Sequence, residues 1–373
     1  MENVLIIAEH DLSMSGGIQS GIMNNTARLK KDYHFDIVLF SKAISPNDSV
    51  FESYGSIFRI PVDKYNNRIL KRIENLTRFF RVFCGVYHIL GKKKYTVIHV
   101  HDINKGTPAL LAGKLRGVPI RIAQCHNPKS REYVPALTIK YIEFLRILLN
   151  KCANCKTGSS VEANEYMFHN SKGKCYVINV EMNVSVFKRT NSMHNGVNFI
   201  HIGRFVEQKN HLFLLKCFSV IHKNIPETTL SLIGYGPNET SIKQTVSDLE
   251  LEECVKFYPY DTDKVSILDQ SDYMIFPSLY EGFGRVLIEA QAMEVMCYAS
   301  DVIPKTTDLG LCTYISLLEP PEYWANVILN DIKSQAKLSR KLNYKSLMQF
   351  DADNVAKVYA KAYRGEMLCQ TNT

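Results

Sequence analysis

The stretch Phe276-Pro-Ser-Leu-Tyr-Glu-Gly-Phe-Gly-Arg-Val-Leu-Ile-Glu-Ala-Gln-Ala292 decides the fold of this 373-residue chain. Residues 273–276 are apolar and predict a short buried strand, which the following Pro-Ser pair ends. Gly282 and Gly284 permit a tight turn, and residues 286–293 have the propensity and apolar face of a helix. A strand, a glycine-containing loop and a helix in this order direct free backbone N–H groups and the positive helix end beyond the strand.

Two carboxylates eight positions apart flank the turn. Glu281 lies in the loop and Glu289 about one turn into the helix, so both can face the same crevice. A helix N-terminus attracts phosphate, and a carboxylate accepts hydrogen bonds from sugar hydroxyls. The combination suits a ligand that is both phosphate and sugar. A capped amphipathic helix with a solvated glutamate on each side would show the same spacing, so the surrounding motifs must decide.

A glutamate, seven residues and a second glutamate, with Gly-Phe-Gly after the first, resembles the donor-site signature of retaining glycosyltransferases of family 4. The resemblance implies the GT-B fold, an α/β architecture of two doubly wound Rossmann-like domains that face each other across a cleft. It also implies that Glu289 binds the nucleotide ribose and that Glu281 contacts the donor sugar. Gly284 and Arg285, at the start of the helix, are assigned to the nucleotide-sugar site in the same way.

A second motif, Ile200-His-Ile-Gly-Arg-Phe-Val-Glu-Gln-Lys-Asn-His211, follows a predicted strand. Gly203 allows close backbone approach, Arg204 offers a planar fork of donors, and Lys209 offers a compact ammonium; both cations suit a diphosphate. Ligands of α/β sheets bind beyond the carboxyl ends of the strands, where this segment must lie. The segment is similar to the family's strand-end Gly-Arg…Lys motif. The alternative is a surface loop with two solvated cations.

Two glycine pairs follow other predicted strands. Gly234 and Gly236 come after the strand near residue 231, and by the resemblance they line the nucleotide site. Gly16 and Gly17 follow the first strand and resemble the family loop that approaches the donor phosphates and the acceptor. Glycines after a strand are common turn residues, so each pair is also compatible with a plain turn.

Histidines stand near the ends of two predicted strands, in His99-Val-His101-Asp102 and Gln124-Cys-His126-Asn127. Related sequences place a histidine at the position of His126, where it can reach the donor sugar or the reaction centre. The resemblance therefore gives that role to His126. His101 is interpreted as a strand-end histidine with satisfied hydrogen bonds, and a catalytic role is the alternative. Gln124 excludes a histidine pair within the second motif.

Strands and helices alternate along the chain, which predicts parallel sheets covered on both faces. The length exceeds what one hydrophobic core usually supports, so two domains are expected. We place an N-terminal acceptor-binding domain at residues 1–188 and a C-terminal donor-binding domain at residues 189–351, with a polar linker at 186–196. The resemblance implies that residues 352–373, with their helix, rejoin the first domain.

The charge is unevenly distributed. Residues 1–190 contain 28 Lys and Arg against 15 Asp and Glu, whereas residues 191–373 contain 17 against 22. The basic excess concentrates in residues 68–95, where apolar residues recur at helical spacing. Such a helix either docks on an anionic membrane surface or packs on the core with a basic outer face. No nucleic-acid-binding module accompanies it, so nucleic acid is not an expected partner.

Composition also bears on the compartment. No stretch approaches the ~20 apolar residues of a membrane span, and the first residues lack the pattern of a signal peptide. Ten cysteines show no disulfide framework, and Cys152-Ala-Asn-Cys155 has no second pair to complete a zinc site. Cys84, Cys217 and Cys254 are predicted as small core residues. We expect a cytoplasmic protein that is peripheral on the inner face of the cell membrane if residues 68–95 dock there.

The resemblance that these motifs carry implies a retaining glycosyltransferase that moves a sugar from a nucleoside diphosphate sugar to a hydroxyl of a growing glycan. The resemblance and the basic first domain together imply a lipid-linked acceptor in bacterial capsule, exopolysaccharide or lipopolysaccharide synthesis. No cofactor or metal is expected, because Arg204 and Lys209 meet the diphosphate. The alternative is a non-catalytic GT-B subunit that binds nucleotide sugar or a partner glycosyltransferase. Gln124 motivates it, and so does Ala292-Met-Glu-Val-Met-Cys297, where relatives have Ala-x-Gly-x-Pro-Val.

Overall fold

The computed structural model describes residues 1–8, 11–12, 17–62, 68–126, 136–168, 174–190 and 196–368. The chain forms two compact units. Unit 1 contains residues 1–181 and 352–373, and unit 2 contains residues 182–351. The boundary expected after residue 188 thus lies seven residues beyond the division at 181, and the C-terminal residues fall in unit 1.

Unit 1 is built on a seven-stranded parallel sheet in the order β3-β2-β1-β4-β5-β6-β7. Its strands are β1 (Glu2–Ala8), β2 (Tyr33–Leu39), β3 (Ile57–Arg59), β4 (Val97–Val100), β5 (Ile120–Cys125), β6 (Cys155–Gly158) and β7 (Cys175–Val177). Its helices are α1 (Gly17–Leu29), α2 (Asp48–Glu52), α3 (Arg68–Lys92), α4 (Gly106–Leu115), α5 (Ala136–Cys152), α6 (Val161–Phe168) and the C-terminal α14 (Ala352–Tyr363).

Unit 2 is built on a six-stranded parallel sheet in the order β10-β9-β8-β11-β12-β13. Its strands are β8 (Val197–Ile202), β9 (Thr228–Ile233), β10 (Val255–Tyr258), β11 (Tyr273–Phe276), β12 (Met296–Ser300) and β13 (Cys312–Ile315). Its helices are α7 (His211–Asn224), α8 (Glu239–Asp248), α9 (Lys264–Asp269), α10 (Arg285–Ala292), α11 (Pro321–Lys333), α12 (Ala336–Ser339) and α13 (Tyr344–Leu347).

Both sheets have the doubly wound strand order. In unit 1, β1 pairs with β2 on one side and β4 on the other. In unit 2, β8 pairs with β9 and with β11 in the same way. The direction of winding reverses between β1 and β4 and between β8 and β11, and open α/β sheets bind their ligands beyond the carboxyl ends of the strands at such a reversal. The predicted fold class, two Rossmann-like α/β domains of the GT-B type, is confirmed.

The central strand of unit 1 explains why the sheet is covered on both faces. Successive residues of a strand point to opposite faces. Ile6 packs in a core with Tyr359 and Tyr363 of α14, whereas Leu5 and Ile7 pack in a second core with residues of α3 and α4. A continuous apolar run, buried throughout from residue 4 to residue 8, is what a central parallel strand requires.

The ends of several elements differ from those expected. The motif helix begins at Arg285 and ends at Ala292, one residue earlier than predicted at each end. The basic helix is α3, and Cys84 on it is exposed, so its prediction as a core residue is wrong; Cys217 and Cys254 are buried. Among the described residues, no helix has both the length and the apolar character needed to cross a membrane.

Candidate active site

Two glycine-containing loops lie against each other at the carboxyl ends of β8 and β9. Phe205 N donates a hydrogen bond to Tyr235 O at 2.7 Å. A Cβ atom at Gly234 would lie 2.0 Å from Gly203 O, and one at Gly236 would lie 2.4 Å from Phe205 O. No side chain fits at these distances, so Gly234 and Gly236 are needed for the backbones to approach each other. The two loops form one edge of the candidate site.

The charged residues of the two sequence motifs meet directly. Lys209 Nζ lies 2.6 Å from Glu281 Oε1, and the side chains are 13% and 11% exposed. Lys209 follows β8 and Glu281 follows β11; the two come together because β8 and β11 are neighbouring strands. The ammonium also lies 4.6 Å from the centroid of the Phe276 ring. A cation suited to phosphate and a carboxylate suited to sugar hydroxyls therefore occupy the reversal point of this sheet.

Two hydrogen bonds join the loop after β8 to the loop after β11. Leu279 N donates to Gln208 O at 2.8 Å, and the buried Gln208 side chain donates from Nε2 to Tyr280 O at 2.7 Å. Both bonds flank the Lys209–Glu281 contact in sequence. The position of the ion pair is therefore set by the loops and does not depend on the ion pair alone.

Glu289 is buried and lies between two cations. Lys264 Nζ is 2.6 Å from Oε2, and Arg285 Nε is 3.2 Å from Oε1. Arg285 Nε has no hydrogen-bond partner in the described part of the chain, so its contact with Glu289 is ionic. The sequence motifs do not include Lys264. Only its place after β10, at the same edge of the sheet, signals that it belongs to the site.

The helix that carries Glu289 starts after a position whose backbone conformation favours glycine. Gly284 has φ of 90°, in the left-handed region, and a Cβ atom there would approach Ile303 Cγ2 at 3.3 Å. The first backbone N–H groups of α10 have no partner within the helix and present a positive dipole end. Gly284 thus allows the chain to turn sharply from the Glu281 loop into a helix whose first turn can receive an anion.

Arg204 differs from Lys209 in its surroundings. Its side chain is exposed, and it forms no ion pair with any other residue that the structure describes. It follows β8 directly, five positions before Lys209. A guanidinium without an internal partner can meet a phosphate without first breaking a contact.

Two uncharged histidines lie near Lys209. His201 Nδ1 donates to Ile275 O at 2.9 Å, and the His201 and His211 rings are 4.8 Å apart. Burial lowers the pKa of His201 well below its ordinary value, with the nearby His211 and Lys209 adding to the effect. Burial, and then Lys209, lower the pKa of His211 to about 4. At neutral pH these two histidines therefore add no positive charge to that of the neighbouring Lys209 and Arg204.

Unit 1 has its own group of polar residues at the strand ends. His126 follows β5 and His101 follows β4, and His101 Nδ1 lies 2.9 Å from His126 Nε2. The prediction that His101 is a satisfied strand-end histidine is wrong, because its Nε2 is buried without a partner among the described residues. Gly17 begins α1, whereas Gly16 lies outside the described residues.

The chain is similar in sequence to known glycosyltransferases. Residues 186–309 match the model of the family "Glycosyl transferases group 1". The chain is 26% identical over 336 residues to the "Putative glycosyltransferase EpsF" of Bacillus subtilis, covering 84% of each chain. It is 24% identical over 286 residues to the "UDP-Gal:alpha-D-GlcNAc-diphosphoundecaprenol alpha-1,3-galactosyltransferase" of Escherichia coli, covering 72% of each.

Solved structures show the same fold. The crystal structure of HepE from Anabaena in complex with UDP superposes with a TM-score of 0.76 at 17% identity, covering 98% of this chain and 100% of that one. A complex of the same protein with UDP-glucose superposes with a TM-score of 0.73 at 16% identity, covering 98% of this chain and 100% of that chain. The matched family segment covers the Arg204, Lys209, Glu281 and Glu289 positions described above.

Proposed function

This chain is a glycosyltransferase with the GT-B fold, and we propose that it transfers a sugar from a nucleoside diphosphate sugar with retention of the anomeric configuration. The observation that carries the proposal is the Lys209–Glu281 pair at the reversal point of the unit 2 sheet. This pair places a diphosphate-binding cation beside a carboxylate that can hold sugar hydroxyls. Relatives named as glycosyltransferases, and a structural neighbour with bound UDP-glucose, support this class of donor.

Each donor-site residue has a distinct role in the proposal. Arg204 and Lys209 bind the diphosphate together with the first turn of α10. Glu281 positions the sugar. Glu289, which its two cations hold in place, accepts hydrogen bonds from the ribose hydroxyls. In unit 1, His126 contacts the transferred sugar.

The proposed reaction exchanges one bond for another on the same face of the sugar. The bond between the anomeric carbon and the diphosphate oxygen breaks, and the acceptor hydroxyl oxygen bonds to that carbon. The acceptor's proton moves to the departing diphosphate oxygen, so the products are the glycosylated acceptor and a nucleoside diphosphate. Negative charge grows on the diphosphate as it leaves, and Lys209 and Arg204 stabilise this charge in the transition state.

We propose a lipid-linked saccharide as the acceptor, in the synthesis of a bacterial capsule, exopolysaccharide or lipopolysaccharide. The Escherichia coli relative is named for an acceptor carried on diphosphoundecaprenol, which supports this class. One of the two arguments for the non-catalytic alternative is weakened by the structure. The C-terminal end of α10 still forms the hydrogen bonds of a helix cap, although the glycine that relatives have there is missing. Transfer of label from a panel of nucleotide sugars to a bacterial lipid extract would identify donor and acceptor.

Kinetics of donor-site variants test the assignment. Arg204→Ala and Lys209→Met remove charge that matters most as the diphosphate departs, so each should lower kcat by about 10²-fold, the scale of one lost transition-state donor. Glu289→Ala removes contacts made alike in ground and transition states, so it should chiefly raise the donor KM.

The matched control is Lys243→Met, which removes an exposed lysine paired with Glu239 on α8. It should leave kcat and KM unchanged, and circular dichroism should show that all variants fold. If Arg204→Ala and Lys209→Met retain full kcat, the phosphate role and the mechanism built on it are wrong.

We further propose that transfer needs no metal, because side-chain cations meet the diphosphate. Asp261-Thr-Asp263 is an Asp-x-Asp pattern of the kind that can bind metal. The Asp263 carboxylate, however, caps α9, accepting from Val265 N at 3.0 Å and from Ser266 Oγ at 2.6 Å. Activity in excess EDTA should equal activity with added magnesium or manganese, and a strict requirement for either ion would refute this part of the proposal.

We also propose that unit 1 docks on the anionic inner face of the cell membrane through α3. Leu76 and Phe80, one turn apart, are 57% and 55% exposed, and Arg81 beside them is exposed as well. Arg81 Nη1 donates to Pro61 O at 3.1 Å, and its charge remains at the surface. Exposed apolar side chains with a cation nearby suit an anionic lipid surface. Lys93 does not contribute, because its Nζ lies 2.9 Å from the buried Asp36 carboxylate.

Vesicle binding tests this surface. The double variant Leu76→Ser with Phe80→Ser should bind anionic vesicles more weakly than the unaltered chain, and binding should fall as salt rises. Leu318→Ser is the control, since Leu318 is an exposed leucine of unit 2. Equal vesicle binding by the double variant and the control would leave α3 as a helix with a basic outer face and no docking role.

A further inference from the structure

His101 and His126 form a contact that the donor-site assignment does not use. Their rings are stacked, with centroids 5.2 Å apart and an interplanar angle of 22°. The 2.9 Å distance joins His101 Nδ1 to His126 Nε2. One of these nitrogens must donate and the other must accept, so the protonation of each ring depends on the other.

The neighbouring His99 cannot satisfy His101, because both of its own nitrogens are occupied. His99 Nε2 donates to Gln124 Oε1 at 2.9 Å, and His99 Nδ1 lies 3.2 Å from the Tyr363 hydroxyl, which donates to it. Gln124 Nε2 in turn donates to the Tyr359 hydroxyl at 2.8 Å. These bonds fix His99 as a neutral ring with its proton on Nε2. His101 packs on that ring, with centroids 4.2 Å apart.

The direction of the His101–His126 bond follows from the buried nitrogen of His101. His101 Nε2 has no hydrogen-bond partner within the described ranges. A buried N–H without an acceptor is the rarer case in proteins, so Nε2 is the unprotonated nitrogen of His101. The ring proton then sits on Nδ1 and is donated to His126 Nε2. Because His126 accepts on Nε2, its own proton is on Nδ1.

We propose that His101 is a positioning residue that holds His126 in the Nδ1–H tautomer. His126 then presents an N–H donor rather than a lone pair. A donor suits an oxygen of the transferred sugar and excludes His126 as the base that takes the acceptor's proton. The part of this inference that concerns the sugar rests on the proposed function, whereas the tautomer is a property of the protein without its substrate.

Nitrogen-15 NMR of histidine side chains tests the tautomer directly. Long-range proton–nitrogen correlations of the chain's eleven histidines distinguish protonated from unprotonated ring nitrogens, and the signals lost in His126→Gln identify His126. We expect His126 to be protonated on Nδ1 in the unaltered chain. His126 should shift towards the Nε2–H form in His101→Leu, which removes the donor. His101→Asn keeps an amide N–H close to the position of Nδ1 and should preserve the Nδ1–H form.

Transfer kinetics then test the consequence. His101→Leu should lower kcat about 10- to 100-fold, the scale for outer residues that orient functional histidines, and His101→Asn should recover most of the loss. His222→Asn, on α7 of unit 2, is the control and should match the unaltered chain.

An Nε2–H form of His126 in the unaltered chain, or an unchanged tautomer in His101→Leu, would overturn the inference. Equal kcat for the Leu and Asn variants would overturn its catalytic part. A chain that shows the expected tautomers but transfers no sugar would uphold the histidine pair and instead refute the proposed function.

Discussion

Two residues after helix α10 ends at Ala292, Glu294 has a backbone conformation that favours glycine, and replacing it with glycine should stabilise unit 2. Glu294 has φ of 57°. Val295 N donates to Ala290 O at 3.0 Å and Glu294 N to Gln291 O at 2.9 Å, which closes the helix end. A residue with a Cβ costs ~1–2 kcal/mol in the left-handed region. Glycine removes this strain but gains ~0.5–1 kcal/mol of entropy in the unfolded chain. Glu294→Gly should therefore raise the free energy of unfolding by ~0.5–1 kcal/mol.

The assay uses the single tryptophan of the chain. Trp324 is fully buried in unit 2, so its fluorescence follows the unfolding of that unit. Each 1 kcal/mol should raise the transition temperature by ~2–4 °C for a unit of this size. Glu294 is exposed, and Glu294→Ala removes its carboxylate while keeping the Cβ, so that variant should gain nothing. An equal gain from alanine, or a loss of stability with glycine, would refute backbone strain as the cause.

Three further outcomes are expected. Burial lowers the pKa of His99 to about 3, while its unfolded value stays near 6.5. The unfolded state therefore binds the proton first, and stability of unit 1 should fall by up to ~1.4 kcal/mol per pH unit as pH drops from about 6.5 towards 3, as denaturation with urea at several pH values would show. Burial raises the pKa of Asp36, but hydrogen bonds from Tyr95, Ser56 and Lys93 lower it further than burial raises it. Asp36 therefore stabilises folded unit 1 above about pH 3.8, and this stabilisation is lost as the pH falls below that value. Asp36→Asn should lower the free energy of unfolding by ~2–3 kcal/mol at neutral pH. Asp32→Asn, at an exposed position, is the control and should leave it unchanged. Lys264→Met should raise the donor KM with little change in kcat, because it loosens Glu289, the proposed ribose ligand. An unchanged KM would show that Lys264 does not support this proposed contact.

Much of the fold follows from the sequence, because buried parallel strands are continuous apolar runs and the glycine-rich turns mark their ends. Strand β3 has only three residues, which is too short for a recognisable pattern of apolar residues. The direct pairing of Lys209 with Glu281, 72 positions apart, could not be predicted. It depends on β8 and β11 being neighbours, which strand order decides and local sequence does not. The same holds for His101 and His126, which meet because β4 pairs with β5.

Lys264 shows a different limit of the sequence. Lys264 stands in the segment Asp261-Thr-Asp-Lys264, which has the pattern of an ordinary polar turn and helix start. Its contact with Glu289 appears only when β10 and β11 share one sheet with their carboxyl ends aligned. The sequence motif identified Glu289 as a site carboxylate, but only the fold identified Lys264 as a cation that contacts it.

The contact between Lys209 and Glu281 has a consequence for which molecules the site accepts. Each of these charges already has a partner within the chain, so binding at this pair exchanges one set of contacts for another. Under the proposed function, free phosphate would take Lys209 and leave Glu281, largely buried, without its cation, and a free sugar would leave Lys209 without its carboxylate. A nucleotide sugar would supply phosphate oxygens and hydroxyl donors at once, so neither side chain would be left without a partner. The proposed site would therefore discriminate against fragments of the donor, and Glu281 would compete with the released diphosphate for Lys209.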